Sequence, residues 1–196
     1  MNLITSKYFS LVFILMFSFC PPLMAASDAT NRNVDMNASK SEDRDPYKHF
    51  FNETWGEFNE ELENAKAKNK KAILVFFELD ECPFCHFMKE NVLNKPAVQA
   101  YFREHFLNFS VDIEGDVEIV DFEGKTMTQK QFATKVHRVR ATPVFAVFDL
   151  DGKRIARFTG RTSGVEEFML LGKYVVDEVY KKMSFTKYKR QMKTTG

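Results

Sequence analysis

Two cysteines three residues apart, in the run Cys82-Pro83-Phe84-Cys85, are the side chains of this sequence best suited to chemistry. A close thiol pair can carry two electrons: one sulfur attacks a foreign disulfide, and the other resolves the mixed disulfide that forms. An apolar run, residues 72–79 (AILVFFEL), ends just before the pair, and a helical pattern begins at it. Cys82 is therefore expected at a helix N-terminus, where unpaired N–H groups and the helix dipole favour the attacking thiolate. Pro83 suits the first turn, where its missing N–H costs nothing. Cys85 falls one turn deeper on the same face. The spacing makes Cys82 the nucleophile and Cys85 the resolving thiol, with Pro83 and Phe84 as the intervening motif. Asp80 and Glu81 act in the opposite sense, because nearby negative charge raises a thiol pKa.

A second half-site is suggested by Thr142-Pro143, directly before the apolar run VFAVF. Proline cannot sit mid-ladder, so it either starts the strand as an ordinary trans residue or shapes a special turn, often with a cis bond. The special turn would leave the Thr142 backbone free to pair with an extended substrate peptide. The same cysteine segment also reads as a haem attachment motif, CPFCH. That reading makes His86 an axial ligand and leaves Met127 or Met169 as arbitrary second ligands. A metal centre lacks donors, since His49, His105 and His137 are scattered and read as surface or satisfied side chains.

The elements that must position these residues follow from periodicity. Trp55, Phe58, Leu62 and Ala65 recur at helical spacing over residues 55–67. Residues 72–79 form the pattern of a strand buried on both faces. Residues 82–102 read as a helix broken at Pro96. Residues 106–113 alternate as a strand with Leu107, Phe109, Val111 and Ile113 on one side, followed by an acidic connection holding a short extended piece at 118–122. Thr128 and Gln131 make a capping-box start to a helix ending near His137. Residues 144–150 and 153–159 form a hairpin around Asp151-Gly152, and residues 164–180 a closing helix. The two strands joined through a helix should be parallel neighbours, giving a mixed central sheet covered by helices on both faces.

The ends carry different information. Lys7, the apolar stretch 11–19, Pro21-Pro22 and Ala25-Ala26 have the layout of an export signal over residues 1–26. A retained anchor is the alternative. Cys20 would leave with the signal, because the residue before it is Phe19 rather than a small one. Two cysteines then remain, which suits a reactive pair in an oxidising compartment better than a disulfide-stapled scaffold. Residues 27–46 read as a flexible polar leader, 47–180 as the domain, and 181–196 as a basic, solvated tail. The 196-residue chain has 28 basic and 27 acidic residues, and Lys7 is the one charge in the signal, so the mature chain is formally neutral and no general nucleic-acid surface is expected.

The order strand, CPFC, helix, strand, helix, ATP, hairpin, helix resembles the thioredoxin fold. More narrowly, ECPFCHFMKENVLNKPAVQAYFREHF, DIEGDVEIVDFEGKTMT and VRATPVFAVFDLDGKRIARFTG resemble the periplasmic thioredoxin-related proteins of the SoxW type, across roughly residues 50–180. The resemblance implies Cys82 as nucleophile, Cys85 as resolving cysteine and Pro143 as the cis-proline. It implies a monomeric periplasmic reductase of protein disulfides with no cofactor beyond the Cys82–Cys85 disulfide, recharged by a membrane thiol–disulfide transporter. The chain departs from ordinary thioredoxin in its Pro-Phe dipeptide and in having Phe76 where the family's buried aspartate falls. Glu78 is the nearest carboxylate for the proton-shuttle role, or else a solvated strand-end residue. An oxidase or isomerase of the same fold, a glutaredoxin and a binding protein without cysteine turnover are the remaining alternatives. The glutaredoxin reading is opposed by the extra N-terminal helix, the acidic insertion and the missing diglycine.

Overall fold

The computed structural model describes residues 42–194; the expected signal at 1–26, Cys20 and the leader up to residue 41 lie outside the described residues. The first helices are α1 (Pro46–His49) and α2 (Phe58–Ala67), followed by strand β1 (Ala72–Glu78). Every residue of β1 is buried, as expected for an apolar run with no polar face. Helices α3 (Pro83–Met88) and α4 (Pro96–His105) flank a wider-wound turn over Lys89–Leu93, and β2 (Phe106–Asp112) follows. The break falls at Pro96, which occupies the first position of α4. A hairpin of β3 (Glu118–Val120) and β4 (Thr126–Thr128) precedes the short α5 (Gln129–Gln131), which continues as a second wide turn over Phe132–Val136. The capping box at Thr128 and Gln131 is present in both directions. Strands β5 (Val144–Phe148) and β6 (Arg154–Thr159), then helices α6 (Val165–Val176) and α7 (Phe185–Thr194), complete the chain.

The central sheet runs β2-β1-β5-β6, with β1 and β2 parallel and the other pairs antiparallel. Alternation along β1 divides the core in two. Ala72, Leu74 and Phe76 face α3, α4 and α6, packing with Met88, Val98, Phe102 and Phe168. Ile73, Val75 and Phe77 face the other way, onto Phe58 and Leu62 of α2 and onto Phe132. The mixed sheet with helices on both faces is the fold class the sequence pattern implied. The outer edge of β2 is covered rather than bare: Asn52 N–H donates to the Asn108 carbonyl at 2.7 Å, and Asn108 N–H donates to Asn52 Oδ1 at 2.8 Å.

Four expectations are corrected. Helix α2 starts at Phe58, and Trp55, assigned to its apolar stripe, is 97% exposed. The cause is Gly56, held at φ +86° with its carbonyl accepting from Val120 N–H; a Cβ there would come within 2.8 Å of Ile119. The leader is anchored earlier than expected, because Asp43 pairs with Lys95 at 2.6 Å and Arg44 bonds to Gln99. The basic tail is not a frayed end. Its residues form α7, whose Phe185 and Tyr188 pack against Tyr174, and Tyr174 donates to the Met183 carbonyl at 2.7 Å. His137, finally, is neither at the surface nor satisfied. It is buried among Phe77, Phe132 and Phe148, and its Nε2 has no hydrogen-bond partner.

Burial, reinforced by the Arg154 cation, pulls the His137 pKa down to about 4 from an ordinary 6.5; Asp121 opposes the shift and Arg157 adds to it. As pH falls below about 6.5 the unfolded chain takes up this proton first, so native stability declines from there and levels off below about pH 4. The expected loss across that window is on the order of 2–3 kcal/mol. Urea denaturation from pH 7 to pH 4 should show it, and His137→Leu should flatten that part of the profile. An unchanged profile in the variant would remove His137 as the cause.

Candidate redox site

The C-terminal end of β1 fixes the site. After Glu78 the chain turns through Leu79–Glu81, and Cys82 N–H bonds back to the Leu79 carbonyl at 3.1 Å. Cys82 then caps α3 with an extended backbone, and its Sγ accepts the Cys85 N–H at 3.1 Å. That is the bond expected to favour negative charge on sulfur at a helix start. Pro83 occupies the first turn, and Cys82 and Cys85 are joined as a disulfide. Cys82 keeps a small window to solvent at 6% exposure, whereas Cys85 has none. Phe84, between them, is 55% exposed.

The β1–β5 register brings the proline turn to the same place. Phe77 pairs with Val144, so Pro143 lies one residue past the ladder, at the sheet end from which Cys82 departs. The Thr142–Pro143 bond is cis. The Pro143 carbonyl accepts from Gly160 N–H at 2.8 Å, while Thr142 makes no hydrogen bond with any described residue. The structure thus unites Cys82, Cys85, Phe84, Thr142 and Pro143 at one end of the sheet, although 56 or more residues separate the two halves in sequence.

Glu78 is on the same face of β1 as Phe76, on the α3 side, and it is not solvated. Its carboxylate pairs with Lys89 at 2.7 Å and also accepts from Ser110 and, at 3.3 Å, from Tyr47. Lys89 donates in addition to the Tyr47 hydroxyl oxygen at 2.8 Å. Burial pulls the Lys89 pKa down, but the bonds to Glu78 and Tyr47 prevail and lift it above its ordinary value. Sequence reasoning found Glu78 but missed Lys89, Tyr47 and Ser110. One signal was available: Lys89 stands four residues after Cys85, on the same helical face.

The haem reading fares poorly on these contacts. His86 Nε2 lies 2.7 Å from the Asp80 carbonyl, which only accepts, so that nitrogen carries the proton and is already engaged. The two sulfurs are bonded to each other. Met127 and Met169 pack on opposite faces of the sheet.

Residues 58–175 match the family described as thioredoxin-like domain. The chain belongs to the thioredoxin-like family. No curated protein matches it. A thioredoxin-fold protein from Helicobacter pylori is 22% identical, covering 63% of this chain and 87% of its own, with a TM-score of 0.51. A DsbH oxidoreductase is 21% identical over 66% of this chain and 88% of its own, with a TM-score of 0.50. A putative disulphide-isomerase from Bacteroides thetaiotaomicron is 24% identical over 64% and 91%, also at 0.50. At these identities the likeness is one of fold. The thioredoxin-like chain carries its Cys-x-x-Cys disulfide at the head of α3.

The ion pair beneath the site generates a stability prediction. Glu78 and Lys89 side chains are each 11% exposed, so removing one partner strands the other charge. Glu78→Gln should lower stability by about 2–4 kcal/mol, and adding Lys89→Met should restore more than half of it. Urea midpoints of the oxidised proteins provide the check. A Glu78→Gln midpoint equal to wild type would mean the pair is solvated.

Proposed function

We propose that this protein is an exported thiol–disulfide oxidoreductase that reduces disulfides of partner proteins, in the manner of SoxW-like periplasmic thioredoxin-related proteins. The observation that carries the reading is the Cys82–Cys85 pair itself, with its outer sulfur capped by the Cys85 N–H, at the same end of the sheet as a Thr142 backbone that bonds to no described residue. In the reduced protein, the Cys82 thiolate attacks one sulfur of a substrate disulfide. The substrate bond breaks, its second sulfur leaves as a thiolate, and a mixed disulfide remains. Cys85 then gives up its proton and attacks Cys82, which closes the protein disulfide and releases the second substrate thiol. Two electrons pass from the protein to the substrate, and the two substrate thiolates are protonated by the equivalent of the Cys85 proton and by one proton from solvent. Thr142 would hold the substrate strand by its backbone. Glu78, bonded to Lys89 and Tyr47, would take up the Cys85 proton.

Re-reduction requires a thiol donor, and with the signal at 1–26 directing export, a membrane thiol–disulfide transporter is the class of partner that supplies electrons. The acidic Asp80 and Glu81 disfavour a thiolate at Cys82, and weak thiolate stabilisation goes with a reducing couple rather than an oxidising one.

Cys82 should alkylate at least about tenfold faster than Cys85 in the reduced protein near neutral pH. A Cys85→Ser variant should accumulate mixed disulfides with substrate proteins, while Cys82→Ser should accumulate none. Faster labelling of Cys85 would reverse the two roles. Direction is read from the potential: equilibration against glutathione should place the pair nearer thioredoxin's value of about −270 mV than an oxidant's value of about −120 mV. Dithiothreitol-driven reduction of insulin should accelerate accordingly. A potential at the oxidising end would make the protein an oxidant of thiols.

A further inference from the structure

Arg161 occupies the loop between β6 and α6, and that loop is fixed at both ends. Gly160 N–H is bonded to the Pro143 carbonyl at 2.8 Å. Thr162, fully buried, directs its N–H and hydroxyl at Met88 Sδ, at 3.4 and 3.6 Å. The loop is therefore stapled between the proline turn and the last residue of α3, and Arg161 sits at its crest. Its guanidinium carbon is 5.9 Å from the centre of the Phe84 ring and 4.7 Å from that of Phe87. Phe84 is the residue between the two cysteines.

A guanidinium stacked on aromatic rings keeps its edge N–H donors free for a planar acceptor. Here they are free: Arg161 is exposed and makes no hydrogen bond or ion pair with any described residue. A loop neighbour that could have neutralised it, Glu167, is already held by Lys189 and by the Ser163 N–H at 2.7 Å. The opposite approach to Cys82 carries the exposed carboxylates of Asp80 and Glu81. The rim of the site is thus polarised, negative on the strand side and positive on the proline side. A fork-shaped cation held over the motif's own aromatic ring, with no acceptor among the described residues, is suited to a carboxylate brought in by the molecule whose disulfide is attacked.

We infer that Arg161 is a specificity-determining residue that selects protein disulfides with an acidic side chain beside the attacked cysteine. This rests on the oxidoreductase reading above and names its substrate class. The acidic side chain docks on the guanidinium edge while the peptide backbone lies along Thr142. The interaction forms on binding, so it acts on KM rather than kcat. It weakens with added salt, because the contact is exposed.

The test uses fluorogenic peptides with an internal disulfide, recharged by dithiothreitol, in pairs that differ only in Glu or Gln at one residue adjoining the attacked cysteine, placed before or after it. For at least one placement the full-length protein should prefer Glu by about tenfold in kcat/KM, equivalent to about 1.4 kcal/mol. The preference should lie in KM and shrink at high ionic strength. Arg161→Met, which keeps an apolar stem over the rings, should bring the Glu/Gln ratio close to one, and Arg161→Lys should retain part of it. A wild-type ratio near one at both placements, or an unchanged ratio in Arg161→Met, overturns the inference. So does a ratio that collapses only in Arg140→Met, the other exposed cation near the proline turn. Turnover of the Gln peptides with no Glu preference would leave the oxidoreductase reading standing and remove Arg161 alone. Failure to reduce either peptide would remove both.

Discussion

Strand β1 is buried along its whole length, and the residues that could do chemistry gather where it ends. From Ala72 through Phe77 both faces are sealed by helices, so no side chain in that stretch has an aqueous option. The cost of exposing such a strand, or of slipping it by one residue, is the loss of two cores at once, since a single-residue shift exchanges the faces. The registers with β2 and β5 are fixed in consequence, and with them the place where the chain emerges. Everything chemical is attached to that exit: Glu78 at its last position, Cys82 four residues on, and Pro143 one residue beyond the paired end of β5. Two segments distant in sequence meet because one strand cannot move.

The exit is also where β1 carries its one charged side chain, Glu78. Phe76, two residues before Glu78 on the same face, stacks on Phe51 and Phe145, with ring centres at 5.8 and 4.8 Å. That position is occupied by hydrocarbon, and the carboxylate is moved outward by one pleat, where Lys89, Ser110 and Tyr47 can all reach it. A carboxylate at Phe76 would lie within a fully buried apolar cluster, a placement that costs several kcal/mol without a partner. At Glu78 the charge is balanced by Lys89 at 2.7 Å.

Much of this organisation was legible because it depends on local pattern. A sealed strand, a capping box, an Asp-Gly hairpin and a cysteine pair at a strand-to-helix junction each leave a sequence trace governed by backbone geometry. The misreadings have a common physical source in contacts between distant segments. Trp55 fits the helical stripe by spacing, yet Gly56 takes a left-handed conformation where Ile119 approaches, and the helix starts only at Phe58. The tail has Phe185 and Tyr188 at helical spacing, but six basic residues mask the signal until Tyr174 and Glu167 are seen opposite them. His137 could not be placed, because its burial is set by three phenylalanines from three different elements. At this end of the sheet, the cysteine pair and the proline turn were legible in sequence, whereas the placement of Lys89 and Arg161 was not. Cysteine and proline announce themselves by chemistry and backbone restriction; a lysine or arginine acquires its role only from what it stands beside.

That distinction bears on how such a site can change. The sulfurs, the helix start and the proline turn are tied to β1 and its register, so altering them disturbs the fold. The charges around them are not. Asp80 and Glu81 lie on an exposed turn, and Arg161 on a loop whose neighbours, Gly160 and Thr162, make the structural bonds in its stead. The guanidinium makes no hydrogen bond with any described residue and touches the fold only by stacking on Phe84 and Phe87. The cysteine pair and the proline turn thus stand on backbone that the sheet register holds in place, whereas the charges at the same end of the sheet stand on exposed turns and loops.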